Sequence, residues 1–296
     1  MKYGLDITPA GPWGRPDRIA ELAALAEQCG WDGVFCEDYL CFPAADDAGD
    51  GERPPDTYDV WITLALIAQA TSRLTLGPMV TPLPARKPAA IALQALTVDH
   101  LSEGRLVLAV GLGDQERTNF GALGQTDSLR ERADLLDEGL DVITRLWSGD
   151  PVSYAGTRHR LDDARMRPPP VTRPRIPIWV GGAMTKPRPR RRALRWDGAC
   201  LYRIAPAEGW EDVTPDDVRR LRADARKRPD GGDGFVIVVG GRERSTEAAK
   251  LADDRAYVSA LAEAGADWFQ EYVPPRLPYD EARRRIEAGP LGQRHG

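Results

Sequence analysis

Eight short apolar runs divide the chain, and between every consecutive pair lies a stretch of helical periodicity. The runs are Lys2–Ile7, Gly33–Glu37, Arg73–Gly77, Arg105–Gly113, "IPIWVGG" from Ile176, "GACLYR" from Gly198, "FVIVVGG" from Phe235 and "WFQEYV" from Trp268. They are apolar without interruption, the pattern of strands buried on both faces of a parallel sheet. The intervening helices are expected at Arg15–Cys29, Val60–Ala70, Pro88–Leu101, Leu129–Trp147, Pro189–Arg195, Pro215–Lys227 and Asp253–Ala264. In the first, Ile19, Leu22, Ala23, Ala26 and Cys29 share one face. In the fourth, Leu136, Leu140, Ile143 and Trp147 form the stripe. The alternation predicts the α/β class. With 296 residues, the chain suits a single (β/α)8 TIM barrel over 1–296, a fold that commonly takes about 250 residues.

One corner recurs. "GWDGVFCEDYL" at Gly30, "RWDGACLYR" at Arg195 and "GADWFQEYV" at Gly265 each trail an amphipathic stretch and place Asp just before a strand. This is the helix-to-strand turn of a βα-barrel, and Asp32, Asp197 and Asp267 are expected to serve it on the stability face. Chemistry belongs at the opposite strand ends. Two segments, Cys41–Asp56 and the irregular Ser148–Arg175, read as long loops leaving that catalytic face.

Formal charge is −5, from 45 acids against 40 bases, which disfavours general nucleic-acid affinity. No apolar run approaches the roughly 20 residues of a membrane span. The chain opens "MKYGLDI", straight on a strand-like run without a basic and apolar leader, and a cytoplasmic protein is expected. The four cysteines and three histidines show no metal spacing, so the cysteines read as buried thiols and no metal is expected.

Three features distinguish the catalytic face. "VGGAMTKPRPRRR" ends a strand in two glycines beside Lys186, Arg188 and Arg190. It reads either as an anion site of free amides or as glycines relieving crowding. "LGPMVTPLPARKP" holds no charge before Arg86, and its Met79, Val80 and Leu83 suit either a flat apolar ring or core packing. Asp38 and Asp114 stand at strand ends, as a general acid and base or as partners of arginines such as Arg86 and Arg117.

At these residues the chain resembles the bacterial luciferase-like monooxygenase family, which uses reduced flavin or the deazaflavin coenzyme F-420. The densest match is "RLTLGPMVTPLPARKPAAIALQALTVDHLSEGRLVLAVGLG", Arg73–Gly113, with its T-x-D-x-L-S-x-G-R helix end. "RPRIPIWVGGA" and "RRALRWDGA" resemble the family's fifth unit. The resemblance implies a TIM barrel with a flavin ring over the third strand's exit. Met79, Val80 and Thr81 would back the ring, on a non-prolyl cis bond between Met79 and Val80. Gly111, Gly113 and Asp114 would border it. Gly181, Gly182, Ala183 and Met184 would hold the phosphate, with Lys186 beside them. Asp38 matches an acid of the family, whereas Tyr39 stands where many members carry histidine; Tyr39, Asp38 and Asp114 are the catalytic candidates.

The function implied is an oxidoreductase using reduced FMN from a separate reductase, with dioxygen, on a small organic substrate. The alternative is an F-420-dependent dehydrogenase or reductase, and a further one is a non-catalytic flavin-binding protein. Homodimers are common in the family. A glycosidase is disfavoured, because the seventh strand leaves in "VVGG" without a carboxylate.

Overall fold

The structure, a computed structural model, describes residues 1–41, 55–114, 119–204, 210–245 and 247–292. The parallel strands are β1 (Lys2–Ile7), β2 (Gly33–Cys36), β3 (Thr75–Pro78), β4 (Thr81–Pro82) and β5 (Leu108–Gly111), then β8 (Ile178–Ala183), β9 (Gly198–Ile204), β11 (Val236–Glu243) and β12 (Trp268–Val273). Their order is β3-β2-β1-β12-β11-β9-β8-β5-β4. β3 and β4 share the third position of the barrel. The ring closes through β4 on β5 and a parallel bridge from Leu76 to Leu106. A two-residue strand, β10 (Trp210–Glu211), adds antiparallel to β9.

Helices return the chain after each barrel position: α1 (Pro16–Gln28), α2 (Val60–Ala70), α3 (Pro88–Leu101), α4 (Leu129–Leu146), α5 (Pro187–Ala193), α6 (Pro215–Ala225), α7 (Ala248–Glu263) and α8 (Tyr279–Glu287). Asp59 caps α2 by accepting from the N–H groups of Trp61 and Ile62, at 2.8 and 3.0 Å. Thr214 and Asp217 form a reciprocal capping box on α6.

The segment 148–175 departs from expectation twice. It contains a hairpin, β6 (Val152–Ala155) and β7 (Arg160–Ala164). It also lies at the stability face, because α4 has already carried the chain back to the start of β8. Its far end is tied to the end of α3, where the Asp99 carboxylate accepts from Val171 N–H at 2.7 Å and from Thr172 Oγ1 at 2.6 Å. The other proposed loop, Cys41–Asp56, falls mostly outside the described residues.

The repeated aspartates share one geometry. Asp32, Asp197 and Asp267 each accept, at 2.7 Å, from the N–H of a residue on the preceding strand: Tyr3, Ile178 and Ile237. Each donates its own N–H back to the carbonyl of that same residue. Their carbonyls accept from Thr75, Val236 and Lys2 on the following side. One aspartate, through its carboxylate on one side and its backbone carbonyl on the other, thus stitches three consecutive barrel positions, which is why the corner recurs.

Candidate active site

Alternation along the strands sorts their side chains into two cores. Leu5, Ile7, Val34, Cys36, Phe269 and Val273 point outward into the layer beneath the helices. Phe35, Val107, Ala109, Trp179, Cys200, Val238 and Trp268 fill the barrel interior. Three of these rings make a plug: Phe35 lies 5.7 Å from Trp179 and 5.5 Å from Trp268, and the two tryptophans are 6.0 Å apart.

Two residues further along the same strands, toward the catalytic end, the interior turns polar. Asp6 follows Gly4 on β1, Glu37 follows Phe35, and Gln270 follows Trp268. Opposite them stand Gly111 and Gly181, and beside Gln270 stands Gly240, where a Cβ would sit 2.6 Å from that of Gln270. Asp6 and Gln270 are buried, and among the described residues Asp6 Oδ1 and Gln270 Nε2 have no hydrogen-bond partner. Glu37 accepts a short hydrogen bond from Thr8 Oγ1.

No arginine, lysine or histidine pairs with Asp6 or Glu37 among the described residues. Burial pushes the Asp6 carboxyl well above its ordinary range, and the Glu37 charge pushes it further. Glu37 is raised to about 7, by burial first, with the Thr8 hydrogen bond opposing and Asp114 adding. Tyr39 stands over this layer. Burial raises its phenol far above the ordinary value, helped by the charges of Glu37, Asp114 and Asp6. Tyr272 and Tyr202 are raised for the same first reason. Asp114 reaches solvent, yet it sits deep enough in the mouth for desolvation to raise its carboxyl.

Asp38 and Asp114 do not form a pair. Asp38, between inward Glu37 and inward Tyr39, faces the other way. Its buried carboxylate accepts from Thr81 Oγ1 at 2.8 Å and from Arg86, so Arg86 is its arginine partner. The charges acting most on Tyr39 are therefore those of Glu37 and Asp114, not that of its chain neighbour Asp38. Arg117 lies outside the described residues. Glu271, also at a strand end, points outward and pairs with Arg244 at 2.7 Å.

The Met79–Val80 bond is cis. Both side chains are half-buried and pack on the interior core, with Thr81 buried behind them. A Cβ on Gly111 would lie 2.8 Å from Val80 Cγ2, and one on Gly181 would lie 3.0 Å from Val80 Cγ1. These glycines make room for Val80. Gly113 makes similar room for Phe120, at 2.8 Å, while its carbonyl accepts from the buried Arg132 at 3.0 Å.

The residues expected to hold a phosphate, Gly181–Met184, lie at the end of β8. Gly181, Gly182 and Ala183 belong to β8 and pair with Cys200, Leu201 and Tyr202 of β9. A Cβ on Gly182 would meet Pro189 at 2.9 Å. Met184 is buried. The helix that follows has prolines at its first and third positions, which removes two of its free N–H groups. Beside them, Lys186 and Arg188 are exposed and have no carboxylate partner among the described residues. Arg190 and Arg192 are engaged by Asp224 and Asp137. A surface groove of about 490 Å³ between α5 and α6 lies on the outer wall, away from this mouth.

The comparisons with known proteins bear on what this mouth belongs to. The family model for luciferase-like monooxygenase matches residues 4–292. The chain belongs to that family. It is 36% identical over 171 residues to an F-420-dependent hydroxymycolic acid dehydrogenase of Mycobacterium tuberculosis, covering 57% of this chain and 44% of that protein. The chain thus spans less than half the length of that curated relative. In fold it resembles an F-420-dependent secondary alcohol dehydrogenase solved with an F-420–acetone adduct, with a TM-score of 0.74, 16% identity and 97% of each chain covered. It also resembles the monooxygenase RslO1 from Streptomyces bottropensis, with a TM-score of 0.73, 19% identity, and 97% and 96% covered.

Within this luciferase-like chain, sequence reasoning missed Asp6, Gln270 and Asn119. Asp6 had a signal, an acid inside the otherwise apolar "YGLDI". Gln270 had the same signal in "WFQEYV". Asn119 had none: its Oδ1 accepts from the N–H groups of Leu40 and Cys41, tying the exit of β2 to that of β5. No cluster of potential metal ligands occurs among the described residues, and no helix is long and apolar enough to cross a membrane. Cys36 and Cys200 are buried as expected; Cys29 and Cys41 are only partly so.

Proposed function

We propose that the protein is an F-420-dependent oxidoreductase that moves a hydride between the coenzyme and a small organic substrate. The observation that carries this reading is the make-up of the mouth. The half-buried Met79 and Val80 form an uncharged apolar wall beside a polar layer, with Lys186 and Arg188 exposed just beyond β8. That wall fits a flat tricyclic ring, and the two cations fit a long anionic tail. The names of the curated relatives support F-420 over FMN.

The coenzyme would supply a two-electron hydride acceptor or donor. The chain's own residues do the rest. Thr81 and Asp38 hold the wall in place through their 2.8 Å hydrogen bond. Tyr39, kept neutral by burial and by adjacent carboxylates, donates a hydrogen bond to a substrate oxygen. Asp114, at the solvent edge, passes protons outward.

Anaerobic titration of the purified protein with F-420 and with FMN tests the reading. F-420 binding at least tenfold tighter than FMN, with reversible reduction by an alcohol, is the expected result. Tight FMN binding with substrate-dependent oxygen uptake would instead favour the monooxygenase reading. Tight flavin without turnover would favour a binding protein.

A further inference from the structure

The mouth of the barrel contains two carboxyl groups that the mechanism above does not use. Asp6 and Glu37 stand on adjacent strands, with Asp6 paired in register to Phe35 and Ile7 to Cys36. The groups facing them come from every neighbouring strand: Thr8 on the β1 side, Tyr39 after β2, Asp114 after β5, Cys200 and Tyr202 on β9, and Gln270 and Tyr272 on β12. None of them is cationic. Arg276 acts on Tyr272 and Arg132 on Asp114, one step further out.

We propose that Asp6 and Glu37 share a single proton and exchange it with the oxygen of an uncharged alcohol or carbonyl substrate seated over the polar layer. Two like charges this deep, without a counter-cation, cannot both persist, so one carboxyl stays protonated. The near-neutral affinity of Glu37 for its proton suits exchange in either direction. Asp6 Oδ1 and Gln270 Nε2, without a partner among the described residues, supply one acceptor and one donor, the pair of groups a hydroxyl satisfies. The same acids repel a phosphate or carboxylate, which sets the substrate class.

The step rests on the hydride-transfer reading above. As an alcohol is oxidised, the carbinol C–H bond breaks and its electron pair leaves with the hydride to the coenzyme. The O–H bond breaks, its proton passes to the ionised carboxylate of the pair, and the C=O double bond forms. Reduction of a carbonyl runs the same transfers backwards. Thr8, bonded to Glu37 and within hydrogen-bond reach of Tyr272, links the pair toward the rim.

Infrared titration of the coenzyme-free protein tests the pair without any turnover. In wild type, a protonated-carboxyl absorption should disappear as pH rises through neutrality. Glu37→Gln should remove it, and the difference between the two proteins isolates it from the outward-facing Glu271. Glu37→Gln should also move the remaining Asp6 carboxyl to a lower midpoint, because the Glu37 charge that raises it is gone. An unchanged band in Glu37→Gln, or an Asp6 midpoint that does not move in that variant, overturns the shared proton.

With F-420 and 2-propanol, Glu37→Gln should lose at least tenfold in kcat while KM for F-420 stays within twofold. An unchanged kcat overturns the exchange with substrate. Glucose 6-phosphate turned over as efficiently as 2-propanol overturns the substrate class. Failure of F-420 to bind would sink the coenzyme reading instead, and the infrared result would still decide for or against the pair.

Discussion

Thr81 Oγ1 donates a 2.8 Å hydrogen bond to the buried carboxylate of Asp38. The bond joins the exit of β2 to the start of β4, directly behind the wall formed by Met79 and Val80. Arg86 completes the arrangement from the far side, leaving the Asp38 side chain fully enclosed. An acid in such a place is a fastener. Three residues beyond the inward Phe35, it falls on the outward side of the pleat, and the Glu37–Asp38–Tyr39 alternation turns it away from the mouth.

Asp38→Ala should therefore act on stability first. Removing one partner of a buried ion pair leaves the other charge uncompensated, at a cost of about 3–5 kcal/mol. Thr81→Val should cost less, about 1.5–3 kcal/mol, one hydrogen bond to a charged group that still has Arg86. Denaturant unfolding of both variants measures this. Equal, small losses would show that the pair contributes little.

The three corner aspartates give a separate test. Asp32→Ala, Asp197→Ala and Asp267→Ala each remove the carboxylate that accepts from a backbone N–H at 2.7 Å. Each should cost about 1–3 kcal/mol. The losses should add in the double variants, because the three turns share no partner. Coenzyme affinity should not change, since all three lie at the stability face. A variant with normal stability and weakened binding would contradict this placement.

The corner was legible because it is local: a helix end, an Asp and a strand in one short window. The eight barrel positions were legible for the same reason, and Lys2–Ile7, Val60–Ala70, Pro88–Leu101 and Trp268–Val273 fall where the periodicity put them. The site was less so. Gly111 and Gly181 read as a cofactor border and an anion cradle, but their missing Cβ atoms accommodate Val80, from a different strand. Likewise, no sequence window captures the Asp6–Glu37 neighbourhood: Thr8 and Glu37, 29 residues apart, are brought together only when β1 and β2 pair. Inward and outward acids look alike until the pleat is assigned.

Gly111→Ala should push Val80 out of its seat, because the added Cβ would lie 2.8 Å from Val80 Cγ2. Val80 then moves toward the mouth, where the ring is proposed to lie. The expected result is at least tenfold weaker F-420 binding, about 1.4 kcal/mol, with the barrel still folded. A Gly111→Ala, Val80→Ala double variant should recover part of the affinity. Fluorescence titration reads both, and no recovery in the double variant would place the effect elsewhere.

Tyr39→Phe keeps the ring and removes the hydroxyl. Because burial and nearby carboxylates hold Tyr39 neutral across the working range, its loss should lower kcat without adding or removing a pH-dependent step below pH 9 or so, given an ordinary tyrosine value of about 10. KM for F-420 should be unaffected. A pH–rate profile that changes shape in the variant would mean that Tyr39 titrates, and Asp114 would then be the neutral donor's replacement.

The Glu37 carboxyl also predicts how stability follows pH. In the unfolded chain it ionises around its ordinary value of 4.5, whereas in the fold it holds its proton up to about 7. Below the ordinary value both states are protonated and the group's contribution is fully present. Between the two values the unfolded state has lost the proton and the folded state has not, so stability falls as pH rises. Above the folded value both are ionised, and the loss is complete. Glu271, raised to about 7 despite Arg244, adds a slope of the same sign. Glu37→Gln should therefore unfold at higher temperature than wild type above pH 7, and the gap should close as pH falls toward 4.5. Melting temperatures of the two proteins across this range check the sign. A gap that widens toward acid pH would mean that Glu37 is ionised and favourably paired in the fold, contrary to its cation-free surroundings.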